Sequence, residues 1–359
     1  MSEEKEFIAP EISTQNGEVI WEAPSNIALV KYWGKYGTQL PCNPSISFTL
    51  SACKTTTKVL YSPRTKMDSP YSFDFLFEGK PAPSFHPKIA SFLTKITPFC
   101  PYVKTHHFSI QSQNSFPHSS GIASSAASMA ALALCLLSIE RQARPTIDSA
   151  SFFKKASFLA RLGSGSAARS VEGPVVSWGA SSTIAGTSLL FGTRMRENLH
   201  PVFHDYQDTI LIIDKGQKQV SSTLGHQLME KHPYADVRFK QAEDHFGQLY
   251  TVMQSGDLDA FVPLVEKEAL TLHALMMASD PYFILMQPNT LAVIQKVWAF
   301  RAETKIPLCF TLDAGANVHL LFPKSDAQKV KAFIQEELIH YCQNNHYIED
   351  QVGNGPKKL

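Results

Sequence analysis

Four short runs of this sequence carry groups suited to chemistry. The first, APSNIALVKYWGK (residues 23–35), sets Lys31 and Lys35 four apart around Tyr32 and Trp33. That is a crowded cationic patch in an apolar stretch, although lysines taken singly are usually solvated. The second, PHSSGIASSAA (117–127), places Gly121 and a row of Ser and Ala ahead of an Ala/Leu-rich segment. Small residues there leave backbone N–H groups unshielded at a helix start, where they cradle phosphate oxygens. The hydroxyls of Ser124 and Ser125 are then available to phosphate or a metal, while a close-packed helix start explains the same residues as well. The third run, GSGSAAR (163–169), repeats the small-residue theme and adds Arg169. Arginine grips a carboxylate or phosphate through two parallel hydrogen bonds, or simply makes a surface ion pair. In the fourth, TLDAGAN (311–317), Asp313 ends an apolar strand at a glycine turn. Such a place suits a catalytic carboxylate and a plain turn residue alike. Singly, none of the four decides a function.

Other chemistries are excluded by missing patterns. There is no GxxxxGK[ST], no third glycine to complete a dinucleotide turn with Gly163 and Gly165, and no HExxH or GxSxG. The six cysteines form no CxxC pair, which removes paired-cysteine zinc sites and redox dithiols. Cys135 and Cys309 sit in apolar runs and read as small core residues. His106-His107 falls in a strand-like run, where the two rings face opposite ways and read as structural. Lys+Arg 33 against Asp+Glu 32 leaves a net charge of +1, which argues against nucleic acid or a membrane surface as partner. A hydrophobic share of 44% excludes intrinsic disorder. The N-terminus, MSEEKE, has no apolar leader, and the run 129–137 falls short of the ~20 residues that a span needs. A cytoplasmic protein is expected.

The elements that must position these runs can be read from periodicity. Strands are expected over 19–22, 45–50, 54–61, 72–77, 102–111 and 175–178, and helices over 88–96, 123–139 and 147–162, with a short third one over 164–171. Residues 185–208 lack a period and read as a link. A buried strand over 209–214 then opens a second part, with helices over 221–231, 235–255, 258–277 and 288–302, and strands over 307–312 and 318–322. The last helix has Ser325 as its expected N-cap, with Val330, Phe333, Ile334, Leu338 and Tyr341 on one face. The polar tail after Gln343 is expected to be partly mobile. Strands plus helices in each half predict two α+β lobes with a site between them.

In order and spacing the four runs resemble the diphosphomevalonate decarboxylase branch of the GHMP small-molecule kinase superfamily. Residues 23–35 match its APxNIAxxKYWGK signature at every fixed place. Asn114, Phe116, Pro117, Gly121, Ala123 and residues 124–127 carry its phosphate loop, and residues 160–170 carry ARxGSGSAxRS. VSST at 220–223, the pair His273-Ala274 and TxDAGxN at 311–317 complete the set. The sequence departs from the pattern at His118-Ser119-Ser120, usually Thr-Ala-Ala, and at Ala316, usually Pro, which should loosen the last turn. The resemblance implies a GHMP-kinase-like α+β fold. Its N-terminal ribosomal-protein-S5-like lobe would span 1–190 and its C-terminal ferredoxin-like lobe 191–359, with the active site in the cleft between them. It also implies a homodimer.

The implied reaction uses ATP and Mg²⁺ to phosphorylate the tertiary hydroxyl of mevalonate 5-diphosphate; phosphate and CO₂ then leave to give isopentenyl diphosphate for the isoprenoid route. By resemblance Asp313 is the base at that hydroxyl, with Lys31 beside it, and Arg169 holds the substrate carboxylate. Asn26, Tyr32, Lys35, Ser164 and Ser166 join Arg169 around the rest of the substrate. Ser119, Ser120, Gly121, Ala123, Ser124 and Ser125 take the ATP phosphates, with Ser124 and Ser125 toward Mg²⁺. The alternatives are a relative that accepts the monophosphate, a kinase that stops before decarboxylation, and an inactive scaffold.

Overall fold

The first strands change character halfway along. In β1 (Gly17–Val30) burial alternates at first and then becomes continuous, and β2 (Ser45–Pro63) is continuously buried first and alternates later. Alternation marks a sheet covered on one face, and continuous burial a sheet covered on both. This computed structural model describes residues 3–12, 14–117, 122–195, 199–216 and 222–359. The two strands expected over 45–50 and 54–61 are one strand, because the β1–β2 register jumps from Pro24↔Lys54 to Asn26↔Thr49 and the chain between bulges out. Pro24 has no N–H to offer the ladder at that point.

β3 (Ser72–Phe77) and β4 (His106–Asn114) complete the body of the first sheet. β4 lies between β2 and β3 and runs parallel to β3, while β5 (Val175–Trp178) pairs with the buried half of β2. The strand expected from residue 102 starts later, because Pro101–Lys104 form a 3₁₀ turn that sends the Tyr102 hydroxyl inward to Leu136 O at 3.0 Å. His106 is indeed structural, bonded at 3.0 Å to Tyr102 O and at 2.7 Å to Thr14 Oγ1.

α1 (His86–Ile96), α2 (Ser124–Ala143) and α3 (Ser149–Gly163) cover one face of this sheet. By length and composition α2 would pass for a membrane span, yet most of its residues are buried among α3, β1 and β2. Its apolarity is that of a core helix. α3 is capped by Asp148, which accepts from Ser151 N, and the short third helix is a 3₁₀ turn over Gly165–Ser170.

Among its described residues, the segment read as a link is packed over much of its length. Thr193–Arg194 pairs with β5, Phe203 and Tyr206 are buried, and β6 (Gln207–Leu211) has already begun. β6 sits in a four-stranded antiparallel sheet with β7 (Cys309–Thr311), β8 (Val318–Phe322) and β9 (Tyr347–Gln351), in the order β7-β8-β6-β9. Four helices accompany this sheet, α5 (Ala235–Ser255), α6 (Leu258–Met277), α7 (Pro288–Thr304) and α8 (Ala327–Phe333), while α4 (Ser222–Leu228) packs against Trp33 and Gly34 beyond β1. A shared apolar cluster joins the two halves: Ile27, Ile46 and Phe48 pack with Ile210, Phe246 and Phe261. The expected two-lobed α+β architecture is therefore present.

Two further expectations are corrected. Ser325 is not the last helix's N-cap, since it lies inside a 3₁₀ turn over Lys324–Asp326, and α8 passes into a π turn over Ile334–Leu338. Val330, Phe333, Ile334 and Leu338 are still buried together. The tail is not loose. β9 pairs with β6, Lys357–Lys358 pair with β1, and the Asp350 carboxylate accepts the N–H groups of Ser51, Ala52 and Cys53 at 2.7–2.8 Å in the β2 bulge.

Candidate active site

Lys31 follows the last residue of β1, where both sheet faces are covered, so its long side chain is wholly inside the protein. Its Nζ donates to Ala28 O at 2.6 Å and reaches Asp313 Oδ1 at 3.5 Å, across 282 residues of sequence. Burial pushes the ammonium below its usual range; Asp313 and then Glu268 oppose that, and Arg169 adds to it. Asp313 leaves β7 in the turn that the sequence marked, and its side chain keeps 25% exposure. The ring of His273, on α6, fixes this turn by donating Nε2–H to Asp313 O at 3.1 Å. A carbonyl only accepts, so the proton of the neutral ring is on Nε2. Burial holds His273 down at about 4. Ala316 does not leave the turn untied, since Thr290 Oγ1 donates to Ala316 O at 2.7 Å and Asn317 Oδ1 accepts from Asp214 N at 3.0 Å.

Arg169 is the second buried cation of the cleft, carried by the 3₁₀ turn. Nε donates to Ser47 Oγ at 2.6 Å and Nη1 to Ser45 Oγ at 2.7 Å, and the guanidinium lies 5.8 Å from the Trp178 ring centroid. Burial lowers it to about 10, with Asp313 and Tyr32 opposing, so it stays charged at neutral pH. The turn itself is drawn close to β1, because Asn26 Nδ2 donates to Ser166 O at 3.2 Å and to Ser170 Oγ at 2.8 Å. Glycine is required at 165, where a Cβ would stand 2.8 Å from both Trp178 and the Tyr32 hydroxyl. Tyr32 is wedged between Trp178 (centroids 4.7 Å apart) and His226 (4.2 Å), and burial raises its hydroxyl pKa.

The two serine runs meet. Ser124 and Ser125 open α2 after Ala123, which takes a left-handed conformation (φ 45°), and Ser125 Oγ lies 3.2 Å from Ser164 Oγ at the end of α3. Ser25 Oγ fastens β1 to this start by donating to Ile122 O at 2.6 Å. Lys35 stands at the rim, donating to Gln39 Oε1 at 2.9 Å, with its ammonium pKa lowered by partial burial and by Lys95. Ser119, Ser120 and Gly121 lie outside the described residues, as do Val220 and Ser221 of the VSST run.

Sequence reading missed a layer behind these groups. Glu268 on α6 is completely buried, and its carboxylate accepts from both Nη atoms of Arg238 (2.7 and 2.6 Å), from His245 Nδ1 (2.5 Å) and from Lys31 N (2.8 Å). Burial opposes that charge, but the hydrogen bonds from Arg238 and His245 win and bring Glu268 to about 2. His226, on α4, was also missed. Its Nδ1 accepts from Gly34 N at 3.0 Å, and burial, Lys35 and Arg169 hold it down at about 3.

Chemically the cleft offers a partly open carboxylate, a buried ammonium beside it, a guanidinium held by neutral hydroxyls, and a serine-lined helix start. Among the described residues no group of three or more His, Cys, Asp or Glu gathers to hold a metal.

Two adjacent family models match the chain: diphosphomevalonate decarboxylase-like N-terminal domain over residues 23–189, and mevalonate 5-diphosphate decarboxylase C-terminal domain over residues 209–358. Diphosphomevalonate decarboxylase mvd1 of Aspergillus fumigatus is 28% identical over 331 residues, 87% of this chain and 78% of the relative. Mevalonate diphosphate decarboxylase of Staphylococcus aureus superposes with a TM-score of 0.81 at 26% identity, covering 96% of this chain and 98% of that one. A solved complex, MDDEF with MVAPP, AMPPCP and magnesium, gives 0.80 at 28% identity, covering 96% and 99%.

Proposed function

The chain belongs to the diphosphomevalonate decarboxylase family, and on that premise we propose that its cleft converts mevalonate 5-diphosphate to isopentenyl diphosphate in an ATP-dependent decarboxylation. The observation that carries the reading is the Lys31–Asp313 pair, brought together from the two lobes at 3.5 Å with Arg169 beside it. A tertiary alcohol is a poor nucleophile and a poor leaving group. ATP with Mg²⁺ supplies the phosphoryl group that solves the second problem. Asp313 addresses the first by accepting the hydroxyl proton; once that proton has passed on to the departing phosphate, its carboxylate again faces the positive charge that grows at the tertiary carbon.

Lys31 gives that carboxylate a fixed cationic neighbour. Arg169 holds the substrate carboxylate so that its C–C bond lies in line for CO₂ to leave, with Ser45 and Ser47 fixing the guanidinium from behind. Tyr32, Lys35, Ser164 and Ser166 line the diphosphate end, and Asn26 serves by holding Ser166 in place. Ser124, Ser125, Ala123 and the preceding loop, with Ser119, Ser120 and Gly121, bind the ATP phosphates. The two serine hydroxyls are the ligands this chain offers Mg²⁺. We divide the chain at 190/191 into an ATP-binding lobe and its partner lobe. We also propose a cytoplasmic homodimer on resemblance, which analytical ultracentrifugation and cell fractionation test.

The deciding experiment offers mevalonate 5-diphosphate, its monophosphate and mevalonate separately, with ADP and CO₂ measured in one assay. CO₂ and ADP in equal amounts from the diphosphate alone is the expected result. ADP without CO₂ would make the protein a kinase and overturn the reading.

A further inference from the structure

The β1 ladder ends with Val30 paired to Ile46, so the backbone groups of Lys31 must find partners elsewhere. The second lobe supplies one for each. Glu268 accepts the Lys31 N–H at 2.8 Å, and Arg238 Nη2 donates to the Lys31 carbonyl at 3.2 Å, which also accepts from Asn43 Nδ2 at 2.9 Å. The two side chains are bound to each other through both Nη atoms, and His245 donates to the same carboxylate. Lys31, Arg238, His245 and Glu268 are all buried.

Burying two charges costs enough that an apolar pair of similar volume is often as stable. Stability alone therefore does not account for charges here, whereas fixing a geometry does. We propose that Glu268 and Arg238 are positioning residues that clamp the backbone of Lys31 from α6 and α5. The clamp sets the reach of its ammonium toward Asp313, and Glu268 also helps keep that ammonium charged.

The charged and titratable groups around Lys31 are Asp313 from the turn after β7, Glu268 and His273 from α6, Arg169 from the 3₁₀ turn, Asp208 from β6 and Arg238 from α5. After Asp313, Glu268 is the largest contributor holding the proton on.

The proposal rests on the reading of Lys31 given above, so Lys31→Met is measured in parallel. The paired variant Glu268→Leu with Arg238→Met removes the clamp and leaves no unpaired buried charge. It is expected to melt within a few degrees of the parent and to keep ATP affinity and substrate KM within about twofold, while kcat falls about tenfold or more. The single variant Glu268→Gln keeps an oxygen for the Lys31 N–H but removes the charge. Its alkaline limb of kcat is expected about half a unit to one unit lower in pH, a movement that a merely structural role would not produce. A folded paired variant with parental kcat, or an unmoved limb in Glu268→Gln, overturns the positioning role. If Lys31→Met itself turns over at the parental rate, the reading of the cleft fails first.

Discussion

Two buried cations serve one cleft and are held in opposite ways. Lys31 has a carboxylate 3.5 Å away and a second, Glu268, against its backbone, so the fold itself answers its charge. Arg169 instead donates from Nε and Nη1 to neutral hydroxyls, those of Ser47 and Ser45 on β2. A guanidinium taken out of water and given only hydroxyls is stabilised less than one given a carboxylate. On the proposed reading, the contrast separates a charge that the protein itself answers from one that awaits a ligand. Lys31 is answered by Asp313 and Glu268, while Arg169 would be neutralised by an anion that enters.

The comparison breaks most severely at Asp313. Asp313→Asn is expected to lower product formation about a thousandfold or more, with ATP and substrate binding nearly unchanged. An Asn variant that releases CO₂ at close to the normal rate removes Asp313 from the chemistry. Next comes Arg169→Lys, which keeps a charge but cannot reach both serines and the substrate at once. A loss of about a hundredfold in kcat/KM is expected while nucleotide titrations stay parental, and equal losses in both would mean that Arg169 serves the nucleotide instead.

Removing both serine hydroxyls (Ser45→Ala with Ser47→Ala) leaves the guanidinium buried without those partners. It should cost about 1–3 kcal/mol of stability, seen as a lower melting midpoint that a carboxylate ligand partly restores. No restoration would mean that the site does not await an anion.

The smallest effect is in the pH dependence of stability. His226 and His273 are held at about 3 and about 4, below the ordinary value of 6.5. Below pH 6.5 the unfolded chain takes up protons that the native state refuses, so their contribution is complete above 6.5 and declines as pH falls toward 4. Below about 4.5 Glu268, held at about 2, adds its own loss. Melting midpoints should be level above pH 6.5 and fall below it, and His226→Gln should flatten that fall. A midpoint that rises on acidification would contradict the assigned neutral rings.

Much of this was legible before the fold was known, for identifiable reasons. The strands over 72–77, 175–178 and 318–322 and the helices over 235–255 and 258–277 lie where periodicity placed them. Lys31, Asp313 and Arg169 were candidates in their runs, but each run admitted a structural reading too, and only the resemblance joined them into one site. Glu268, Arg238 and His245 were not candidates, because a charged residue in an amphipathic helix reads as solvated surface. Only the packing of α5 and α6 against the end of β1 buries them, and no local pattern reports that contact. The β2 bulge was hidden for a similar reason. The segment between 50 and 54 breaks the alternation, yet Asp350, roughly three hundred residues away, completes it. The tail read as mobile because backbone pairing at a sheet edge requires no particular side chains.

That same tail bears on how the protein is made. Asp350 closes the β2 bulge and Lys357–Lys358 pair with Trp21 and Glu22, so the first sheet borrows residues synthesised about three hundred positions later. During translation β1 lacks this partner, and its edge stays open to other chains until residues 350–358 emerge. The native pairing of the first sheet is therefore complete only once residues 350–358 have docked. Docking of that strand covers the β1 edge, so it protects the sheet as well as extending it.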